Sequence, residues 1–459
     1  MKLKLAIYLS ILFIGSYSTQ ITAQKTIQLT IKNIEKDSVM IAYYFGEKQY
    51  ILGDENGNNT YIKFDKNGKG TFTGNLSKKG MYMLVFPPKN DYIDFLFDGK
   101  DLEISLDRKL MQKSISFKNS SANQLLYKYV SFLSNLSNEK EEFLNNKNNN
   151  IDKERLLKEL DIRHVEFKNE LVSNNMNNMA AKFLKASNQI KVPLEITNKK
   201  EQFEYYKANF FNTINFNDEW LIRTPFFYPK IMTYLDKLTE QKIDEIAKSI
   251  DYIIGLSVNN DEMYQYLVVT FLNKYAKSSL MIAENVYSHI VKKYYIERKA
   301  TWIEDSQLTK IIATYNKSKN SLIGRKVDDF KIINNNNQTT SLYKTAAQYK
   351  ILYFWQPPFN QADLKVSKEE LPNNVAFLSI SKSFNLKERD DFIAKYPQDF
   401  PLNILIEEDR LAVFESLNIY KTKTKPTVFL LDESNQIIAK RITVKQVFEM
   451  IDQLNNSKK

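Results

Sequence analysis

The hydrophobic pattern of this 459-residue chain changes twice along its length, and each change restricts the fold of the segment that follows. Apolar residues recur at every second position over 25–108 and at every third or fourth position over 118–320. From 321 to 459, short apolar runs alternate with helical patterns. A period of two is typical of strands and a period near 3.6 of helices. We therefore predict a multidomain protein: a small antiparallel β-domain, an α-helical domain and a C-terminal α/β domain.

Turn residues separate the strands predicted in the first segment. Ile27, Leu29 and Ile31 alternate with polar residues, and residues 65–68 (Asp-Lys-Asn-Gly) predict a turn between two strands. The runs 92–97 and 102–106 flank Asp98 and Gly99. That arrangement predicts a β-hairpin.

The last segment alternates strand and helix patterns, which implies a mostly parallel sheet. The predicted strands are 351–355, 375–380, 402–406, 427–431 and 436–440, and the predicted helices are 386–396, 409–417 and 444–454.

The first residues have the order of a secretory signal peptide. Lys2 and Lys4 precede an apolar stretch over 5–14 and a small-residue segment over 16–23. The alternative is a membrane anchor, but the stretch is about half the ~20 residues needed to span a bilayer. We expect residues 1–24 to be cleaved, no transmembrane segment in the mature chain, and export to the periplasm or cell envelope.

The positive charge is spread along the chain. The net charge is +11, from 65 basic and 54 acidic residues that are interleaved. Such a pattern indicates solvated helix faces, whereas a nucleic-acid-binding surface concentrates its basic residues. We expect no nucleic-acid partner.

The sequence contains no cysteine. Thiolate nucleophiles, disulfides and cysteine-ligated zinc are therefore excluded.

Three motifs in the last segment resemble one known family. They are 351–355 (Ile-Leu-Tyr-Phe-Trp), 356–358 (Gln-Pro-Pro) and 426–432 (Pro-Thr-Val-Phe-Leu-Leu-Asp). Their residues and spacing resemble the TlpA-like thioredoxins, which are thiol-disulfide oxidoreductases. The resemblance implies that residues 321–459 form a thioredoxin-like domain.

Weaker likeness extends over most of the mature chain. Residues 41–46 and 80–82 resemble a β-domain of unknown function that precedes such thioredoxins in exported bacterial proteins. Residues 205–211, 223–225 and 272–276 resemble the helical domain that accompanies it. No activity of those two domains can be transferred.

The resemblance also identifies candidate site residues. Aligned on Trp355, the positions of the family's two active-site cysteines hold Phe359 and Ala362, so thiol exchange is lost. The resemblance places Lys425 and Pro426 at the family's cis-proline, where the preceding backbone can pair with an extended peptide. We therefore take Trp355, Phe359, Lys425 and Pro426 as candidate binding residues, and no residue as catalytic.

Other chemistry has weaker support. The two histidines, His164 and His289, lie in helical patterns without metal-ligand spacing, so we expect surface or packing roles and no metal site. Carboxylates cluster at 369–370 and 407–409, and the second cluster is explained by the start of a helix. The scattered glycines form no phosphate-binding loop, and we expect no cofactor.

The interpretation that follows is an exported thioredoxin-like protein without oxidoreductase activity, acting as a binding or scaffold module for a protein or peptide. One alternative is a hydrolase-like enzyme with a site in the helical domain or at a domain junction. Another is an eroded paralogue with little function. Acids converging around His164 or His289 would favour the hydrolase, and an apolar groove beside Phe359 and Pro426 would favour the binding module.

Overall fold

The chain folds as two compact units. One comprises Ser16–Gln241 and Lys248–Leu267, and the other includes Lys242–Ala247 and Val268–Lys459. The computed structural model describes residues 25–34, 38–53, 61–74, 76, 78–88, 91–145, 153–333, 336–355, 371–381, 387, 402–405, 407–419 and 426–456.

The order of elements follows the predicted change from strands to helices to a mixed segment. The strands are β1 (Lys25–Lys32), β2 (Val39–Phe45), β3 (Lys48–Ile51), β4 (Tyr61–Ile62), β5 (Lys69–Gly74), β6 (Gly80–Phe86), β7 (Asp91–Phe97), β8 (Leu102–Asp107), β9 (Ser116–Phe117), β10 (Lys331–Ile333), β11 (Thr339–Ser341), β12 (Tyr349–Trp355), β13 (Val375–Ser381), β14 (Leu402–Leu405), β15 (Thr427–Asp432) and β16 (Ile437–Lys440). The α-helices are α1 (Ser121–Asn145), α2 (Lys153–Asn174), α3 (Met179–Ala186), α4 (Lys199–Asn209), α5 (Phe227–Thr233), α6 (Ile243–Gly255), α7 (Asp261–Lys277), α8 (Ala283–Ile290), α9 (Asp305–Ser318), α10 (Glu407–Ser416) and α11 (Val444–Asn456).

The β-domain contains two sheets that share one hydrophobic core. One sheet has the order β5-β1-β8-β9, and the other has the order β3-β2-β6-β7 with β4 on β2. Ile27, Leu29 and Ile31 of β1 are fully buried, as their alternation predicts. Inner-face residues of both sheets form the core, and Ala122, Leu126 and Tyr127 of α1 extend it.

Two predicted features of the β-domain are wrong. The domain is not wholly antiparallel, because β1 and β8 are parallel with Ile27 opposite Leu102. The runs 92–97 and 102–106 form strands but no hairpin, since β7 pairs with β6 while β8 pairs with β1 and β9. Asp98 and Gly99 therefore connect a strand of one sheet to a strand of the other. The alternation of apolar residues does not determine which strands pair, so it could not predict this connection.

Helix α1 covers the outer edge of β7. The buried Asn123 side chain accepts a hydrogen bond from Leu96 N and donates one to Leu96 O, each at 2.7 Å. It therefore satisfies the outward backbone groups of Leu96 as a neighbouring strand would.

The C-terminal part contains a sheet of order β11-β10-β14-β13-β12-β15-β16. Only β12, β13 and β14 are mutually parallel; the remaining pairings are antiparallel. The prediction of a mostly parallel sheet is therefore wrong. A short turn joins β15 to β16, and such a turn requires antiparallel neighbours.

Alternate residues of β12 enter two cores. Ile351, Tyr353 and Trp355 lie in a cluster with Val447 and Ile451 of α11. Leu352 and Phe354 lie in a cluster on the opposite face with Phe414 of α10. Every residue of β12 is buried, because helices cover both faces of this central strand.

A buried ion cluster attaches α8 to this sheet. Lys440 of β16 is 1% exposed, and its Nζ donates to Glu284 Oε2 at 2.5 Å and to Ser321 O at 2.6 Å. Arg441 also pairs with Glu284. Burial lowers the pKa of Lys440, while Glu284 acts in the opposite direction. The shared carboxylate thus compensates one buried and one half-exposed cation.

A membrane-spanning helix would need a long apolar segment. None of the helices formed by the described residues has one.

Candidate functional site

The candidate site lies at the carboxyl edge of the parallel strands. Trp355 ends β12 opposite Ser381, which ends β13. On the other side of β12, Phe354 pairs with Thr427, the first residue of β15. Pro426, directly before Thr427, therefore lies beside the end of β12, and both Pro426 and Thr427 are partly exposed.

Trp355 is enclosed at this edge. The side chain has no exposed surface, and its indole Nε1 donates to Ser379 Oγ at 2.9 Å. Its neighbours in the core include Tyr353 and Phe377. Trp355 is one of the four candidate binding residues, and its ring supports the strand end from within the core.

Several candidate residues lie outside the described part of the chain. These are Phe359, Ala362 and Lys425, together with the carboxylates at 369–370. The structure therefore brings together only Trp355 and Pro426 of the four candidate binding residues.

Among the described residues at this edge, the functional groups are hydroxyl groups and apolar rings. Ser379 and Ser381 are buried, and Ser379 accepts the indole proton of Trp355. The chain contains no thiol, so the redox-active site of thiol-disulfide oxidoreductases is absent.

The two histidines lie in different helices. His164 Nε2 lies 2.8 Å from the Tyr129 hydroxyl, and His289 lies in α8. Among the described residues, no three His, Asp or Glu side chains lie close enough to hold a metal ion. Asp409, from the acidic cluster at 407–409, accepts a hydrogen bond from Lys331 N at 2.7 Å. The cluster lies in the first turn of α10, where acidic side chains interact favourably with the helix dipole.

The motif at 223–225 surrounds a buried arginine in the first unit. The Arg223 side chain is 5% exposed and pairs with Glu262, which also binds Lys78 at 3.1 Å. The guanidinium lies 5.9 Å from the ring centre of Phe45. At position 80, only glycine fits, because a Cβ there would be 2.5 Å from Arg223 Cβ. The residues at 41–46, 80–82 and 223–225 thus meet at one place and have a packing role.

Sequence reasoning missed Ser379 and Glu262. A serine within the apolar run 375–380 was the available signal for a buried hydrogen-bond partner, because lone polar residues in buried strands need one. Glu262 carried no such signal, since acidic residues are common at the first turn of a helix.

Comparison with known proteins gives one family match and several structural likenesses. Residues 138–321 match a family described as a domain of unknown function (DUF5106). A thioredoxin-like protein from Bacteroides caccae is 17% identical, with 57% of this chain and 96% of that chain covered, at a TM-score of 0.42. No curated protein matched the chain.

Two further solved structures cover the C-terminal part. The thioredoxin domain of a thiol-disulfide oxidoreductase from Bacteroides vulgatus is 17% identical over 29% of this chain and 96% of its own, with a TM-score of 0.26. A thiol:disulfide interchange protein from Bacteroides sp. is 17% identical over 30% of this chain and 92% of its own, with a TM-score of 0.26. The strand order, strand directions and covering helices of β10–β16 themselves make this part thioredoxin-like.

Proposed function

We propose that this chain is an exported cell-envelope protein whose thioredoxin-like domain binds a protein or peptide segment without thiol chemistry. The observation that carries the proposal is the position of Pro426. It lies beside the end of β12, where the resemblance to TlpA-like thioredoxins places the cis-proline, in a chain that has no cysteine.

The mode of binding follows from backbone chemistry. In the thioredoxin fold, the residue before this proline can pair its backbone with an extended partner segment, as an added strand would. That residue is Lys425 in this chain. The contact surface would come from Phe359, Lys425 and Pro426, while Trp355 supports it from below with its ring buried and its N–H bonded.

Charge favours an acidic partner. Lys421, Lys423 and Lys425 alternate with threonines, so in an extended segment they would project to one side. A row of lysines at the rim would speed association with an acidic segment and make its binding sensitive to salt.

The test compares baits in an envelope extract. Wild-type protein, Pro426→Ala and a Lys421/Lys423/Lys425→Glu variant are immobilised, and the captured proteins are quantified by mass spectrometry. We expect one partner to be depleted on both variants, and its binding to wild type to weaken as salt rises. Equal capture by all three folded baits would contradict binding at this edge and direct attention to the helical segment.

A further inference from the structure

Two lysines from different helices meet at the end of α3. Lys168 of α2 donates its Nζ to Ser187 Oγ at 3.1 Å. Lys230 of α5 donates its Nζ to Ala186 O and Asn188 O at 3.3 and 3.2 Å. Both lysines are partly buried, and both ammonium groups contact residues 186–188.

The two lysines differ in their remaining hydrogen-bonding capacity. Lys230 also donates to Thr213 Oγ1 at 3.0 Å, so its three N–H groups have three acceptors. Lys168 has the Ser187 hydroxyl and, at 5.9 Å, the ring centre of Tyr129. An ammonium group has three donors, and Lys168 therefore retains donor capacity for a ligand.

His164 adds a second donor on the same helix face. It precedes Lys168 by four residues, so the two side chains are neighbours on α2. Burial and the charge of Lys168 lower the pKa of His164, although Asp161 opposes them, and this direction favours the neutral imidazole. The Tyr129 hydroxyl lies 2.8 Å from Nε2. If Tyr129 donates to Nε2, the ring proton is on Nδ1 and can be donated to a ligand.

Among the described residues, the ion pairs involve neither Lys168 nor Lys230. Burial lowers the pKa of Lys168, and burial together with Lys168 lowers the pKa of Lys230 to about 8. Two partly buried like charges repel each other, and a bound anion would relieve the repulsion.

We propose that Lys168 and His164 bind the phosphate or carboxylate group of a small anionic ligand, with Lys230, fixed by its three acceptors, as a second positive charge in the same cluster. Ser187 is not a nucleophile activated by Lys168, because its hydroxyl donates to Leu184 O at 2.9 Å. The hydroxyl instead accepts from the ammonium and positions it.

The test uses inorganic phosphate and acetate as probes. The mature full-length chain is titrated with each anion by isothermal calorimetry, with ionic strength held constant by sodium chloride. The variants are Lys168→Met, which keeps the apolar stem, Lys168→Arg, which keeps the charge, and the control Lys185→Met, which removes an exposed charge on α3. Circular dichroism establishes that each variant is folded.

We expect wild type and Lys185→Met to bind at least one of the two anions with equal affinity. Loss of a charged hydrogen bond should weaken binding to Lys168→Met roughly tenfold or more, and Lys168→Arg should retain most of it. Tighter binding of phosphate would assign a phosphate-bearing ligand, and tighter binding of acetate a carboxylate. The proposal is overturned if neither anion binds wild type, or if Lys168→Met binds as wild type does.

Discussion

The indole N–H of Trp355 donates to the hydroxyl of Ser379 across two adjacent parallel strands, at 2.9 Å and with both side chains fully buried. This bond fixes the tryptophan ring at the end of β12. The candidate binding edge around Pro426 therefore lies beside the end of β12, which is packed in the core and fixed there by the Trp355–Ser379 hydrogen bond.

Ser379→Ala should destabilise the second unit. The substitution leaves the indole N–H buried without its acceptor, and an unsatisfied buried donor costs about 1–3 kcal/mol. Urea unfolding followed by tryptophan fluorescence measures the loss. Ser306→Ala, at an exposed serine of α9, should change the free energy of unfolding by less than about 0.5 kcal/mol. Equal effects of the two substitutions would show that the Trp355–Ser379 bond contributes nothing.

Paired cysteines should report the geometry after Trp355. If residues 359–362 keep the family's loop geometry, Phe359→Cys with Ala362→Cys places the two Cα atoms roughly 5–6 Å apart, within disulfide reach. We expect the pair to oxidise and to restore little insulin reduction, because only nine residues, 363–371, separate the second position from Pro372. Mass spectrometry after thiol alkylation measures oxidation. A pair that stays reduced under oxidising conditions would contradict the assignment of these two positions.

Asp94→Asn should stabilise the first unit at neutral pH. Burial raises the pKa of Asp94 to about 6, even though the Tyr44 hydroxyl donates to its carboxylate at 3.2 Å. Between about pH 4 and 6 the folded chain holds a proton that the unfolded chain has released, so this group's contribution to stability falls as pH rises. We expect the variant to gain about 1–3 kcal/mol over wild type at pH 7.5 and little at pH 4.

Urea unfolding of both proteins at the two pH values measures this difference. Glu195→Gln, which removes an exposed loop carboxylate, serves as the control and should show no such pH dependence. A gain for Asp94→Asn that is the same at both pH values would contradict the raised pKa.

Glu262→Ala should strongly destabilise the first unit. The substitution leaves the Arg223 guanidinium, which is 5% exposed, without its counter-charge, and breaking a buried pair in this way costs about 3–5 kcal/mol. Lys78 binds the same carboxylate but is 53% exposed, so Lys78→Ala should cost less than about 1 kcal/mol. Thermal unfolding by calorimetry compares the two. Similar losses of stability in the two variants would contradict a larger contribution from the buried Arg223–Glu262 pair.

Local sequence pattern predicted most elements because alternation and helical periodicity reflect burial. The strand at 375–380 and the helix at 444–454 have nearly the predicted bounds, in β13 and α11. The same pattern does not say which strands pair. The parallel contact of Ile27 with Leu102, and the passage from β7 to β8 between sheets, depend on distant segments.

The candidate site was predictable only in part. The motif residues at 351–355 and at 426–432 implied a thioredoxin-like domain, and the structure pairs the strands that contain them, β12 and β15. The enclosure of Trp355 was not predictable, because tryptophan is common both in cores and on binding surfaces. The burial of Arg223 was not predictable either. Arginine is buried only where it has a partner, and the partner Glu262 lies 39 residues away in the sequence.

The most direct test of binding at the thioredoxin-like edge is photo-cross-linking in cells. A benzophenone amino acid replaces Phe359 in one strain and Gln453, an exposed residue of α11, in the control strain. After irradiation, immunoblots show whether the chain has gained a covalently attached partner. We predict an adduct of one discrete size at position 359 and none at 453. No adduct at 359, with the protein expressed and folded, would contradict recognition at this edge.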